Sequence, residues 1–188
     1  MMFVVNRASK LLVASGALVA FCCARAHAAE NFAGLVERLQ KIVACDVSTF
    51  PTNATDKSSL SSFLRKLKAA GATERHIGAA PEDKIEYRLP SSISIFGQSI
   101  SKIDNFSPPF VMIEFNMPVS VLLSAVAKAN RESLRMTSDG VYELANKKLV
   151  QAAGAKYPFE RNIVVYGTGS KSVYICRYDD TDPEAGDV

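Results

Sequence analysis

Cys45 and Cys176 constrain this chain more than any other feature, because they are the two cysteines expected to remain after processing. The chain has four cysteines, and Cys22 and Cys23 fall in a leading segment that reads as an export signal. That segment carries Arg7 and Lys10, and no acid precedes Glu30. An apolar run of 13 residues, Leu11 to Cys23, follows and leads to Ala26-His27-Ala28. A positive start, an apolar middle and a small-x-small end are the marks of a cleavable secretory signal at residues 1–28. The run is too short for a bilayer-spanning helix, which needs about 20 residues. A lipid anchor is disfavoured, because Phe21 and Cys22 stand where a small residue normally precedes a lipidated cysteine.

In an oxidising compartment an isolated cysteine pair forms a disulfide. A Cys45–Cys176 bond would tie the front of the domain to its last strand. A redox or nucleophilic role would call for a CxxC pair or a basic activating environment, and the sequence offers neither.

Export also changes the charge balance. The full chain has 22 bases and 19 acids. Removing Arg7, Lys10 and Arg25 with the signal leaves 19 of each, so the apparent basicity belongs to export and not to a nucleic-acid surface. Residues 179–188 hold Asp179, Asp180, Asp182, Glu184 and Asp187 with no base, and read as a flexible, solvated acidic tail. The expected division is a signal at 1–28, one domain at 29–178 and the tail at 179–188.

Apolar periodicity lays out the domain. Phe32, Leu35, Val36, Leu39, Ile42 and Val43 fall on one helical face. A second helix is expected from about Ser58 to Ala70, capped by Asp56, striped by Leu60, Phe63, Leu64 and Leu67, and stopped by Gly71. Residues 71–78, which contain the lone mature histidine His76, read as a loop. Ile85, Tyr87 and Leu89 then alternate with charged residues as a strand. After Pro90, Ile93 and Ile95 alternate with serines, Phe96-Gly97-Gln98 suggests a turn, and Ile100 and Ile103 return. Phe110 to Phe115 is a nearly unbroken apolar run, the mark of a central strand. A third helix begins near Pro118, with Val119, Leu122, Leu123 and Val126 inward. Ser138-Asp139-Gly140 is a turn, Val141 to Leu144 a short strand, and Lys147 to Ala153 a helical turn. Asn162–Tyr166 and Ser172–Tyr178 form a hairpin around Gly167–Lys171. This order implies an α+β fold: an antiparallel sheet of about five to six strands, with two N-terminal helices and one central helix packed on it.

Candidate chemistry is sparse. One histidine and two committed cysteines fall short of the three or four ligands that zinc takes, and the acidic tail lacks the glycine turn and final glutamate of a calcium loop. No metal or other cofactor is expected. A Ser–His–Asp site would have to use His76, and no Gly-x-Ser-x-Gly elbow exists. Gly167-Thr168-Gly169 lacks the third glycine and the context of a nucleotide loop. The sequons at Asn53 and Asn105 read as chance in a chain whose signal is bacterial in form. Glu114 interrupts an apolar strand, so it sits on a solvent face or serves as a catalytic acid. Tyr166, Tyr174 and Tyr178 in the terminal hairpin suggest a protein-binding surface, although tyrosine also suits half-buried sheet positions.

The expectation is therefore a periplasmic or secreted, non-enzymatic binding protein: an inhibitor or immunity protein that neutralises a toxic or lytic envelope-targeting enzyme. Such a protein would have a protein partner, no nucleic acid, and no integral membrane segment once mature. Two alternatives are a small secreted hydrolase using Glu114 and an assembly component of an envelope machine.

Overall fold

A computed structural model describes residues 32–78, 83–152 and 154–182. The signal expected at 1–28 and residues 183–188 of the expected tail lie outside the described residues. Helix α1 covers positions 32–43 and buries Phe32, Leu39, Ile42 and Val43, the stripe that its period requires. It ends on Cys45 in the left-handed region at φ 63°. The Cys45 N–H donates to the Ile42 carbonyl at 3.1 Å and the Asp46 N–H to Lys41 at 3.0 Å. This paired return normally selects glycine. Here a side chain is required, because Cys45 is bonded to Cys176 with a Cα–Cα distance of 5.4 Å.

After a 3-10 turn at Val47–Thr49, helix α2 runs Ala54–Ala69. It begins four residues before the expected start, so Asp56 lies within its first turn rather than at its cap. The side chain of Asp56 lies outside the described residues. Gly71, at φ 100°, ends the helix with the same return, Ala72 N–H to Leu67 O and Gly71 N–H to Lys68 O. Leu60, Phe63 and Leu67 face inward.

Three antiparallel strands follow, β1 (Thr73–Ile77), β2 (Lys84–Ile95) and β3 (Gln98–Ile103), in spatial order β1-β2-β3. Strand β1 corrects the expected loop at 71–78. All five of its residues are exposed, so it has no burial alternation to betray it. Strand β2 continues through Pro90 because the ladder to β3 shifts register between Arg88 and Ile93, where no pairing N–H is needed.

A second sheet holds β4 (Asn105–Ser107), β5 (Phe110–Phe115), β6 (Leu134–Ser138), β7 (Val141–Leu144), β8 (Lys148–Val150), β9 (Phe159–Thr168) and β10 (Lys171–Asp180). Its order is β4-β5-β10-β9-β7-β6, and β8 extends the β7 edge along β9. Strand β8 replaces the helical turn expected at 147–153. Its three residues gain ladder bonds to β9, which outweigh local preference in so short a run. Strand β10 reaches Asp180, so Asp179 and Asp180 belong to the sheet and not to a tail. The sheets meet at a corner where the Ile85 N–H donates to the Asn105 side chain at 3.1 Å.

Helix α3 (Val119–Asn130), with Pro118 as its N-cap, turns Leu122 and Val126 into the core. The core lies between the three helices and one face of the seven-stranded sheet. That face contributes Val111, Ile113, Phe115, Ile163, Val165, Tyr174 and Cys176. The fold is α+β, with antiparallel sheets and the helices on one face. Among the described residues, no helix is long and apolar enough to cross a membrane.

Candidate functional site

Side chains alternate along a strand, so each core position of the central strands has a neighbour on the opposite face. On β5, β10 and β9 those neighbours are also apolar. The register aligns Met112 with Ile175 and Ile175 with Val164, forming one row across three strands. The adjacent row runs Glu114, Val173, Tyr166. None of these residues belongs to the core that the helices cover. Val164 is buried within its own face, Met112, Val173, Ile175 and Tyr166 are half-buried, and Glu114 is exposed.

Ion pairs edge the row on the β7–β8 side. Arg177 pairs with Asp179 at 3.1 Å and with Glu143 at 3.8 Å. Lys147 pairs with Glu160 at 2.9 Å and with Glu143 at 3.3 Å. On the other side, Glu114 lines a cleft of about 340 Å³ with Lys102, Asp104, Gln98, Ser99 and Asn116. Asp104 accepts the Glu114 N–H at 2.8 Å and forms an ion pair with Lys102. The arrangement has an apolar centre, one half-buried aromatic edge and a polar rim.

The structure separates the three tyrosines. Tyr166 lies on this outer face, whereas Tyr174 is fully buried on the helix side. There its ring meets Phe96 at 4.8 Å. Tyr178 shares the helix side and stacks on Phe50 at 4.3 Å. Tyr166 and Glu114, proposed separately from the sequence, flank Val173 in one row, and two strand spacings put them about 10 Å apart. Sequence reasoning missed Met112, Val164, Val173 and Ile175. Their signal was present: Ile163-Val164-Val165 and Val173-Tyr174-Ile175 are apolar at both parities, which a sheet with one wet face does not require.

His76 lies on β1 rather than on a loop. Its Nδ1 is 2.8 Å from Asp83 Oδ2 and its Nε2 is 3.3 Å from Glu74 Oε1. Glu74 also accepts from the Tyr87 hydroxyl and pairs with Lys68 at 2.6 Å. The Lys68 and Tyr87 hydrogen bonds hold the Glu74 pKa down to about 2. The hydrogen bonds to Asp83 and then Glu74 raise that of His76 above 6.5. Burial, followed by the bond to Glu74, raises that of Tyr87. Glu74 therefore holds no proton to give at neutral pH, and Tyr87 keeps its own, so this cluster fastens β1 to α2 and β2.

The pH dependence follows from the two signs. Stabilisation from Glu74 is present above its ordinary value of 4.5 and is lost as pH falls towards about 2. Stabilisation from His76 is complete below its ordinary 6.5 and is lost as pH rises through its folded value. Amide protection of β1 is expected to peak between these limits, with His76 titrating above 6.5 by NMR. A His76 midpoint at or below 6.5 contradicts this account.

Among the described residues, no group of three His, Cys, Asp or Glu side chains could hold a metal ion. Comparison with protein-family models, curated proteins and solved structures finds no match.

Proposed function

We propose that this chain is an exported, non-enzymatic binding protein that docks on a lytic envelope-targeting enzyme through the outer face of its seven-stranded sheet and inhibits it. The observation that carries this reading is the row Met112–Ile175–Val164, apolar and outside the core, edged by Tyr166 and by the ion pairs of Arg177 and Lys147. An apolar centre inside a polar rim is the anatomy of a protein–protein interface, and Tyr is among the residues that anchor one. The Cys45–Cys176 bond suits an oxidising compartment, which supports a periplasmic or secreted location.

The test uses the mature protein with a muramidase, an amidase and an endopeptidase, each clearing a cell-wall suspension. Stoichiometric inhibition of one of them is expected. Ile175→Glu, which puts a charge at the centre of the row without touching the core, is expected to weaken inhibition about 100-fold, the loss of a central interface residue. Unchanged inhibition by Ile175→Glu removes the proposed face, and failure to inhibit any of the three removes the proposed role. A second reading, a secreted hydrolase, rests on Glu114 beside Asp104 and Lys102 in the polar cleft. It requires that the protein clear the suspension alone and that Glu114→Gln abolish the clearing.

A further inference from the structure

A second cleft, of about 490 Å³, lies on the helix side, between the C-terminal end of α1 and the segment joining α3 to β8 and β9. Its charged lining includes Lys41, Asp46, Glu132, Lys148 and Arg161, and Asn130 lies among them. Both signs of charge therefore line the cleft, together with the small apolar residues Ala44, Val47 and Ala129.

One wall is rigid. Arg161 is 2% exposed. Its Nη1 donates to both Glu132 oxygens at 3.0 Å, and its Nη2 donates to Asn130 Oδ1 at 2.9 Å. Lys148 Nζ joins Glu132 Oε1 at 2.6 Å. Arg161 Nε is also buried, and no acceptor faces it. Arg161 lines the cleft, and a buried cation that leaves one donor unpaired is unusual, since buried polar groups are nearly always satisfied. Tyr178, directly across the ladder from Arg161, has a buried hydroxyl that is also without a partner.

The other wall is adjustable. Lys41 is half exposed and pairs at 2.8 Å with Glu37, which is 81% exposed. Such an exposed i,i+4 pair contributes little and is easily exchanged for another partner. On the first wall Lys148 is the exposed member, its side chain 56% open to solvent, so its ammonium can exchange partners too. The two exposed ammonium groups, Lys41 and Lys148, suit a carboxylate. Asp46, and Glu132 Oε2, which accepts from Arg161 alone, suit an ammonium group.

We infer that this cleft binds a small zwitterion carrying an amine and a carboxylate, the chemistry shared by a free amino acid and the end of a short peptide. The site is independent of the outer sheet face and of the inhibitory role.

The experiment is calorimetric titration of the mature protein at low salt with Ala, Ala-Ala and Ala-Ala-Ala, and with N-acetyl-Ala-Ala and Ala-Ala-amide as probes lacking one charge. Ala-Ala or Ala is expected to bind, with each singly blocked probe at least about tenfold weaker, the loss expected for one charge-assisted contact. Ala binding as tightly as Ala-Ala identifies a free amino acid as the ligand, whereas binding that requires two residues or more identifies a peptide end. Lys148→Ala, a change on the surface, is expected to weaken binding about tenfold, and Lys41→Ala to weaken it in the same direction. Equal binding of the N-acetyl probe overturns the proposal, because a plain anion site would then suffice. So does unaltered binding by Lys148→Ala, or no binding of any probe at about 10 mM, close to the weakest affinity that a small-molecule site shows.

Discussion

Reducing the Cys45–Cys176 bond is expected to lower the unfolding free energy by about 5 kcal/mol, the chain-entropy cost of leaving a 131-residue loop unclosed. Domains of this size hold only about 5–15 kcal/mol in total, so the reduced protein is expected to be near its folding threshold. Both cysteines are 1% exposed, which means that reductant reaches them only on unfolding. The measurement is therefore equilibrium urea unfolding with and without a thiol reductant.

The left-handed conformation at Cys45 makes this prediction sharper. In a chain without the crosslink, a side chain at φ 63° is a source of backbone strain. Cys45→Gly/Cys176→Ala is expected to be about 1 kcal/mol more stable than Cys45→Ala/Cys176→Ala, the reverse of glycine's effect inside a helix. Equal midpoints for reduced and oxidised protein would remove the crosslink as a principal stabiliser. A more stable alanine variant would contradict the helix-end geometry.

Gly167→Ala is expected to cost about 3–5 kcal/mol, by combining backbone strain with overpacking. Gly167 sits on β9 opposite Ser172, at φ 150°. A Cβ there would lie 2.3 Å from the Lys171 carbonyl oxygen and 2.7 Å from the Ser172 Cα. Both obstacles are backbone atoms of the partner strand, so no side-chain rotation relieves them. The hairpin that supplies Tyr166, Val173 and Ile175 would have to open. Gly169, two residues on, is the control. Its φ is 61° and nothing lies within 4 Å of a Cβ, so Gly169→Ala is expected to cost about 1 kcal/mol. Thermal or urea unfolding distinguishes the two variants, and similar losses from both would show that the close approach across the hairpin is absent.

What the sequence revealed follows from where each segment's free energy comes from. The helices were legible because Leu39, Phe63 and Leu122 bury one stripe each, and burial writes a 3.6-residue period. The crosslink was legible because only Cys45 and Cys176 lie outside the segment read as an export signal. Strand β1 was not, since Thr73 to Ile77 are held by ladder bonds to β2 and by the Glu74 and His76 contacts, none of which produces an apolar period. Strand β8 was hidden for the same reason, with Leu149 64% exposed. At the candidate site, Tyr166 and Glu114 were named from composition and context. Their company was missed because a one-residue step along β10 moves a side chain to the other face: Tyr174 went to the core, and Val173 and Ile175 to the open side.

Strand β1 also determines how the smaller sheet meets its surroundings. Its outer margin offers unsatisfied backbone amides and carbonyls to any extended chain that drifts past, the opening step of uncontrolled fibre growth. Glu74, Arg75 and His76 in succession make that margin hydrophilic and charged, and a newcomer would have to strip water from all three to zip on. The smaller sheet thus carries a guard rail along this border.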